Sequence, residues 1–74
     1  MHTISDGSSA AVAESIRLAG RSQQWVSDNT GISLSTLKRK LGGASFTVAE
    51  LALIARALNV PPFELLPNEF RQVA

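Results

Sequence analysis

The apolar positions of this chain recur at helical spacing, and no segment alternates in the way a half-buried strand requires. Val12, Ile16 and Ala19 fall at i, i+4 and i+7, the stripe of a first helix. That helix starts near Ser8 or Ser9, good N-cap types, and closes at Gly20. A second helix is expected from Gln23 to about Thr30 behind Ser22 as N-cap, with Val26 inward and Trp25 on its flank. Gly31 supplies the left-handed position that ends it. Ser33 then caps a third helix, Leu34 to Leu41. Ile32 before that cap and Leu37 after it form a hydrophobic staple, which fixes the angle at which the helix sets off. Gly42 and Gly43 stop it.

Thr47 and Glu50 read as a T-x-x-E capping box, with Phe46 and Leu51 as its staple, for a fourth helix that runs to Leu58. Val48, Leu51, Ile54, Ala55 and Leu58 share its inward side, and Leu53 falls opposite. Asn59 takes the left-handed C-terminal position, with Val60 packing back. Pro61 and Pro62 forbid continuation, and Pro62 can open a last short helix. Phe63, Leu65 and Leu66 then cover the bottom of the core until Pro67 ends it.

Five helices around one core make an all-α, compact domain. Two short helices joined by a tight Gly-containing turn place a helix-turn-helix at its centre. Residues 1–7 are expected to form a flexible N-terminal arm and 8–67 the domain. Residues 68–74 form a tail or linker that docks on the body, pairs with another subunit or leads into a further part of a longer protein.

Composition narrows the class. At 45% hydrophobic and 18% charged, the chain belongs with globular rather than disordered sequences. Without cysteine it has neither disulfides nor thiolate metal sites, which fits a reducing, intracellular setting. No apolar run is long enough to span a bilayer, and no secretory leader is legible. His2, the single histidine, lies in the arm without partners at a ligand spacing. Paired inward carboxylates and the G-x-x-x-x-G-K phosphate loop are missing too. Neither an enzyme nor a metal, cofactor or small-molecule site is therefore expected.

The net charge of +1 says little, but its distribution says more. From Arg17 to Ser45 the bases Arg17, Arg21, Lys38, Arg39 and Lys40 face one acid, Asp28. Taken alone, this asymmetry is equally a polyanion-binding face and a solvated basic one, and Arg17 and Arg21 also suit a helix C-terminus. The third helix separates the readings. At about 100° per residue, Leu37 and Leu41 share the core side, while Ser35 and Arg39 point the opposite way. Thr36 stands beside them, Lys38 and Lys40 occupy the two flanks, and Leu34 sits nearer the core edge. A polar ridge between two cations suits a helix lying in a major groove, with base edges ahead and phosphates on either side.

These residues bring a family into view. Gln23 opening helix 2, Gly31 in the turn, Leu37 inside helix 3 and the run FTVAELALIARALNVPP together resemble the lambda-repressor-like helix-turn-helix family, of Cro and phage repressor type. The likeness spans residues 8–67. It implies that helix 3 enters the major groove and that the start of helix 2 clamps a phosphate. By that implication Gln23 is a phosphate-binding amide, Leu34, Ser35 and Arg39 face bases, and Ser33, Thr36 and Lys40 face the backbone. Lys38 joins the base-facing set, and Arg21 and Ser45 the phosphate-facing set. Arg39 suits guanine, and Leu34 a thymine methyl group. Three positions depart from the family pattern: Ser27 stands for the usual alanine, and Thr30 and Arg21 for apolar residues. Both of the latter thin the core at helix 2, and Trp25 is expected to fold over the gap.

The expected function is a sequence-specific regulator of transcription, a phage-type repressor or Cro-like protein. It binds a double-stranded operator as a homodimer or at paired half-sites. If the first Met is native, the chain is a short Cro-like protein; if it is a fragment, it is the DNA-binding domain of a repressor. The alternative is an interaction module of the same fold, an antitoxin or adaptor, contacting partners through Trp25, Leu53 and Phe70. Leu53 and Phe70 are also the candidates for self-association, although an isolated exposed leucine is common on any surface.

Overall fold

Four α-helices succeed one another along residues 7–66, the part of the chain that the computed structural model describes. They are α1 (Gly7–Ala19), α2 (Gln23–Thr30), α3 (Leu34–Leu41) and α4 (Val48–Leu58), followed by one 3-10 turn at Pro62–Leu65. No strand occurs among the described residues. The tail over 68–74, Pro67, His2 and Phe70 lie outside them, as does the arm apart from Gly7.

The cap signals act where the sequence places them. Ser22 accepts from the Trp25 backbone N–H at 3.0 Å, and Ser33 from that of Thr36 at 3.2 Å. At α4 both halves of the capping box form: Glu50 N–H donates to the Thr47 hydroxyl at 3.1 Å, and Thr47 N–H to Glu50 Oε1 at 2.8 Å. Gly31, at φ +82°, closes α2, and its N–H reaches the Ser27 carbonyl at 3.0 Å. Asn59 closes α4 at φ +59°, a conformation its short polar side chain tolerates.

Helices of eight residues are too short to persist in water, so α2 and α3 depend on what they pack against. Val26 from α2 and Leu37 from α3 are fully enclosed, as are Val12 of α1 and Ile54 of α4, and Ile16 of α1 and Leu51 and Leu58 of α4 are buried with them. Phe46, between α3 and α4, is completely buried, in the same core cluster as Leu51, its expected staple partner. A side chain enclosed like Leu37 contributes about 1.5–3 kcal/mol. Both staples therefore join the ends of short helices to one shared core.

Several expectations need correction. The fifth helix is a single 3-10 turn, held by Glu64 N–H to the Pro61 carbonyl and Leu66 N–H to the Phe63 carbonyl. Prolines at 61, 62 and 67 leave too few donors between them for a ladder of α-type bonds. Leu65 fills the core there, but Phe63 is 50% exposed, because the tight turn sends its side chain outward. Ser8 and Ser9 are not caps: α1 begins at Gly7, and both serines are buried in its first turn. The α1 stripe ends at Ile16, one turn before the helix does, and Ala19 is exposed. Val48 is exposed as well, being the first residue of α4, ahead of the layer on which that helix packs.

Candidate nucleic-acid interface

The turn between α2 and α3 is stiffened by Thr30, which the sequence marks as thinning the core, and by Ser27, the other departure within α2. Thr30 donates its hydroxyl to the Val26 carbonyl at 2.7 Å and accepts from the Ile32 N–H at 3.2 Å. Ser27 donates to the Ile32 carbonyl at 2.6 Å, across the turn. Backbone groups that the turn would leave unpaired are thus satisfied from α2 itself. An alanine and a large apolar residue would supply none of these bonds. Trp25 does fold against the core, half-buried, and Arg21 lies over its ring with the guanidinium carbon 4.4 Å from the centroid. That stacking joins the residue before α2 to the helix's own flank.

On α3, Ser35, Lys38 and Arg39 are exposed, and Leu34 is half-buried. Spacings of three and four residues set Lys38 and Arg39 next to Ser35 on one helix surface. Neither base has an ion-pair partner among the described residues. The three bases in the last turn of α3 also complement the negative end of its dipole. Asp28, the acid between Arg17 and Ser45, is held on the α2 surface by the Gln24 amide at 2.8 Å.

The other expected contacts divide. Gln23, the first residue of α2, is exposed, with its side-chain amide unengaged among the described residues. Ser33 is exposed too, but its hydroxyl caps α3 and donates to Thr36 Oγ1 at 2.9 Å, and Thr36 is half-buried. Ser45 is half-buried in the loop before Phe46. Leu53, 41% exposed, stands on the outward side of α4.

Lys40 departs from its expected place. It is not an open flank of the ridge: its ammonium is 2.6 Å from Glu50 Oε1, and its side chain retains only 12% of its exposure. The pairing follows from the capping box, which fixes the Glu50 carboxylate beside the end of α3. Burial by itself would raise the pKa of Glu50, but hydrogen bonds from Lys40 and the Thr47 backbone and hydroxyl, with the Lys40 charge, outweigh it. The carboxyl is held below its ordinary value of 4.5. Residues ten apart on different helices carry no common periodicity, so the pair was invisible in the sequence. The hydroxyl of Ser9, which reaches the Lys40 carbonyl at 2.8 Å, was equally so.

Among the described residues, no group of three or more His, Asp or Glu could hold a metal ion, and no helix is long and apolar enough to cross a membrane. No curated protein and no solved structure matches the chain. A family model described as the BetR domain matches residues 10–73, from within α1 to beyond the 3-10 turn. With nearly the whole chain covered, this protein belongs to the BetR domain family, a family of small helical domains of helix-turn-helix kind.

Proposed function

We propose that the chain is a sequence-specific, double-stranded DNA-binding regulator of transcription, of phage-repressor or Cro-like type. It acts in the bacterial or phage-infected cytoplasm, by binding rather than by catalysis. In this reading α3 lies in the major groove of an operator, with Ser35, Lys38 and Arg39 meeting base edges and Leu34 a thymine methyl group. Gln23, Ser33, Thr36, Arg21 and Ser45 lie towards phosphates, and Lys40 is left out of that set. Two copies bind two half-sites, since one short helix reads few base pairs.

The observation that carries the reading is the outward surface of α3. An exposed serine and two bases unpaired among the described residues stand on a helix whose start is capped, stapled and braced by Ser27 and Thr30. A guanidinium held on such a helix can make the bidentate contact to guanine that discriminates between bases.

Selection from a random duplex pool tests it, and is expected to return a two-fold symmetric site. On that site Arg39→Ala should cost about 1–3 kcal/mol and relax preference at one base pair. An equal loss on every sequence would reassign Arg39 to the phosphate backbone. Recovery of no enriched sequence would reject DNA recognition.

A further inference from the structure

The end of α3 is tied down more heavily than its cap requires. Gly42 and Gly43 already close the helix, with their N–H groups on the Lys38 and Lys40 carbonyls at 3.0 and 3.1 Å. Beyond this, Ser9 of α1 donates to the Lys40 carbonyl, and Lys40 Nζ meets the carboxylate oxygen of Glu50 that already accepts the Thr47 N–H. Three helices meet at this one residue. Lys38 and Arg39, its neighbours in sequence, are exposed and unpaired among the described residues, whereas the side chains of Lys40 and Glu50 are 12% and 21% exposed.

We propose that Glu50 is a positioning residue that acts through Lys40: it fixes the end of α3 on α4 and withholds one cation from the nucleic-acid surface, which keeps down the sequence-independent part of the affinity. This rests on the DNA-binding reading above and adds to it which positive charges are kept from the polyanion.

The physical reason is the sequence-independence of phosphate attraction. Each lysine or arginine that neutralises a phosphate strengthens binding to every duplex alike, through the counterions it releases. Contacts to base edges strengthen binding to one sequence only. A lysine at the edge of the recognition surface therefore raises non-specific affinity unless something neutralises it. Glu50 does so at short range, in a partly enclosed position where salt screens the pair less than it screens surface charges. The long lysine stem can swing its ammonium back to solvent once the carboxylate is gone.

The test measures affinity against salt for the selected operator duplex and for a shuffled duplex. It uses the unaltered chain, Glu50→Gln, Lys40→Met and the double variant. Glutamine keeps an oxygen for the Thr47 N–H, and the double variant leaves no unpaired charge, so the series does not depend on one fold-sensitive change. Circular dichroism sets a temperature at which all four are folded. Glu50→Gln is expected to steepen the logarithmic salt slope by about 0.9 on both duplexes and to tighten binding to both alike, with the ratio between them unchanged. Lys40→Met and the double variant are expected to keep the original slope. An unchanged slope in Glu50→Gln overturns the proposal, because a purely structural pair would alter stability alone. A shallower slope in Lys40→Met overturns it too, since Lys40 would then already contact phosphate. An unaltered chain that binds neither duplex, or binds without salt dependence, removes the DNA reading itself, an outcome distinct from the other two.

Discussion

Trp25 and Arg21 show how a single side chain takes over work that a neighbour cannot do. Arginine before the α2 cap cannot enter the core, so Trp25 half-covers that place and Arg21 rests on the indole face. Trp25→Ala should therefore destabilise the domain by about 2 kcal/mol, below the about 3–5 kcal/mol of a fully enclosed aromatic. A thermal melt checks this, and an unchanged midpoint would deny Trp25 its covering role. Thr30 and Ser27 teach the converse lesson. By residue type Thr30 reads as a core defect and Ser27 as a small substitute for alanine, and the sequence has no means of showing that their hydroxyls close the α2–α3 turn.

Between elements, what was legible is what repeats locally. The Ser22, Ser33 and Thr47 caps and the Gly31 and Asn59 closures act within a few residues, and all are found where the sequence puts them; the staple residues Ile32, Leu37, Phe46 and Leu51 are all buried in the core. The bond from Ser9 and the pair of Lys40 with Glu50 depend on how whole helices lie together, and no periodicity encodes them. The same limit explains the misplacement of Val48, whose angle on α4 is near the core but whose height is not. On the candidate site, the outward set Ser35, Lys38 and Arg39 could be read from helical angles, while the withdrawal of Lys40 could not.

A pH dependence belongs to this scale as well. The folded carboxyl of Glu50 titrates below its ordinary value, so it contributes stability above about pH 4.5 that is lost as pH falls through the lower folded value. Exposed Glu14, lowered by its hydrogen bond and charge contact with Arg17, adds in the same direction. Melts from pH 6 down to about pH 3 should show the midpoint falling, and the fall should be smaller in Glu50→Gln. Parallel curves for the two proteins would show that Glu50 has no part in the acid sensitivity.

For the molecule as a whole, the open question of assembly centres on the outward side of α4. Leu53 stands there with Ala49 and Ala52, all exposed. If two copies meet through this side, the unaltered chain sediments as a dimer and Leu53→Asp as a monomer. That is the expected result, because a charge buried without a partner opposes such an interface. An unchanged association state would remove Leu53 from any contact between copies.

The hydroxyl bond from Ser9 to the Lys40 carbonyl spans thirty-one positions of chain, and it bears on how α3 moves. A two-turn helix normally frays by itself, exchanging its amide hydrogens long before the rest of a domain opens. Here its start is stapled into the core by Ile32 and Leu37, and its end is bound to α1 and α4. Deuterium should therefore enter the α3 amides as slowly as it enters the middle of α1. In Ser9→Ala the α3 amides should exchange faster, while those of α2 keep their rate. Rapid exchange of α3 in the unaltered chain would mean that this helix moves independently of the body that presents it.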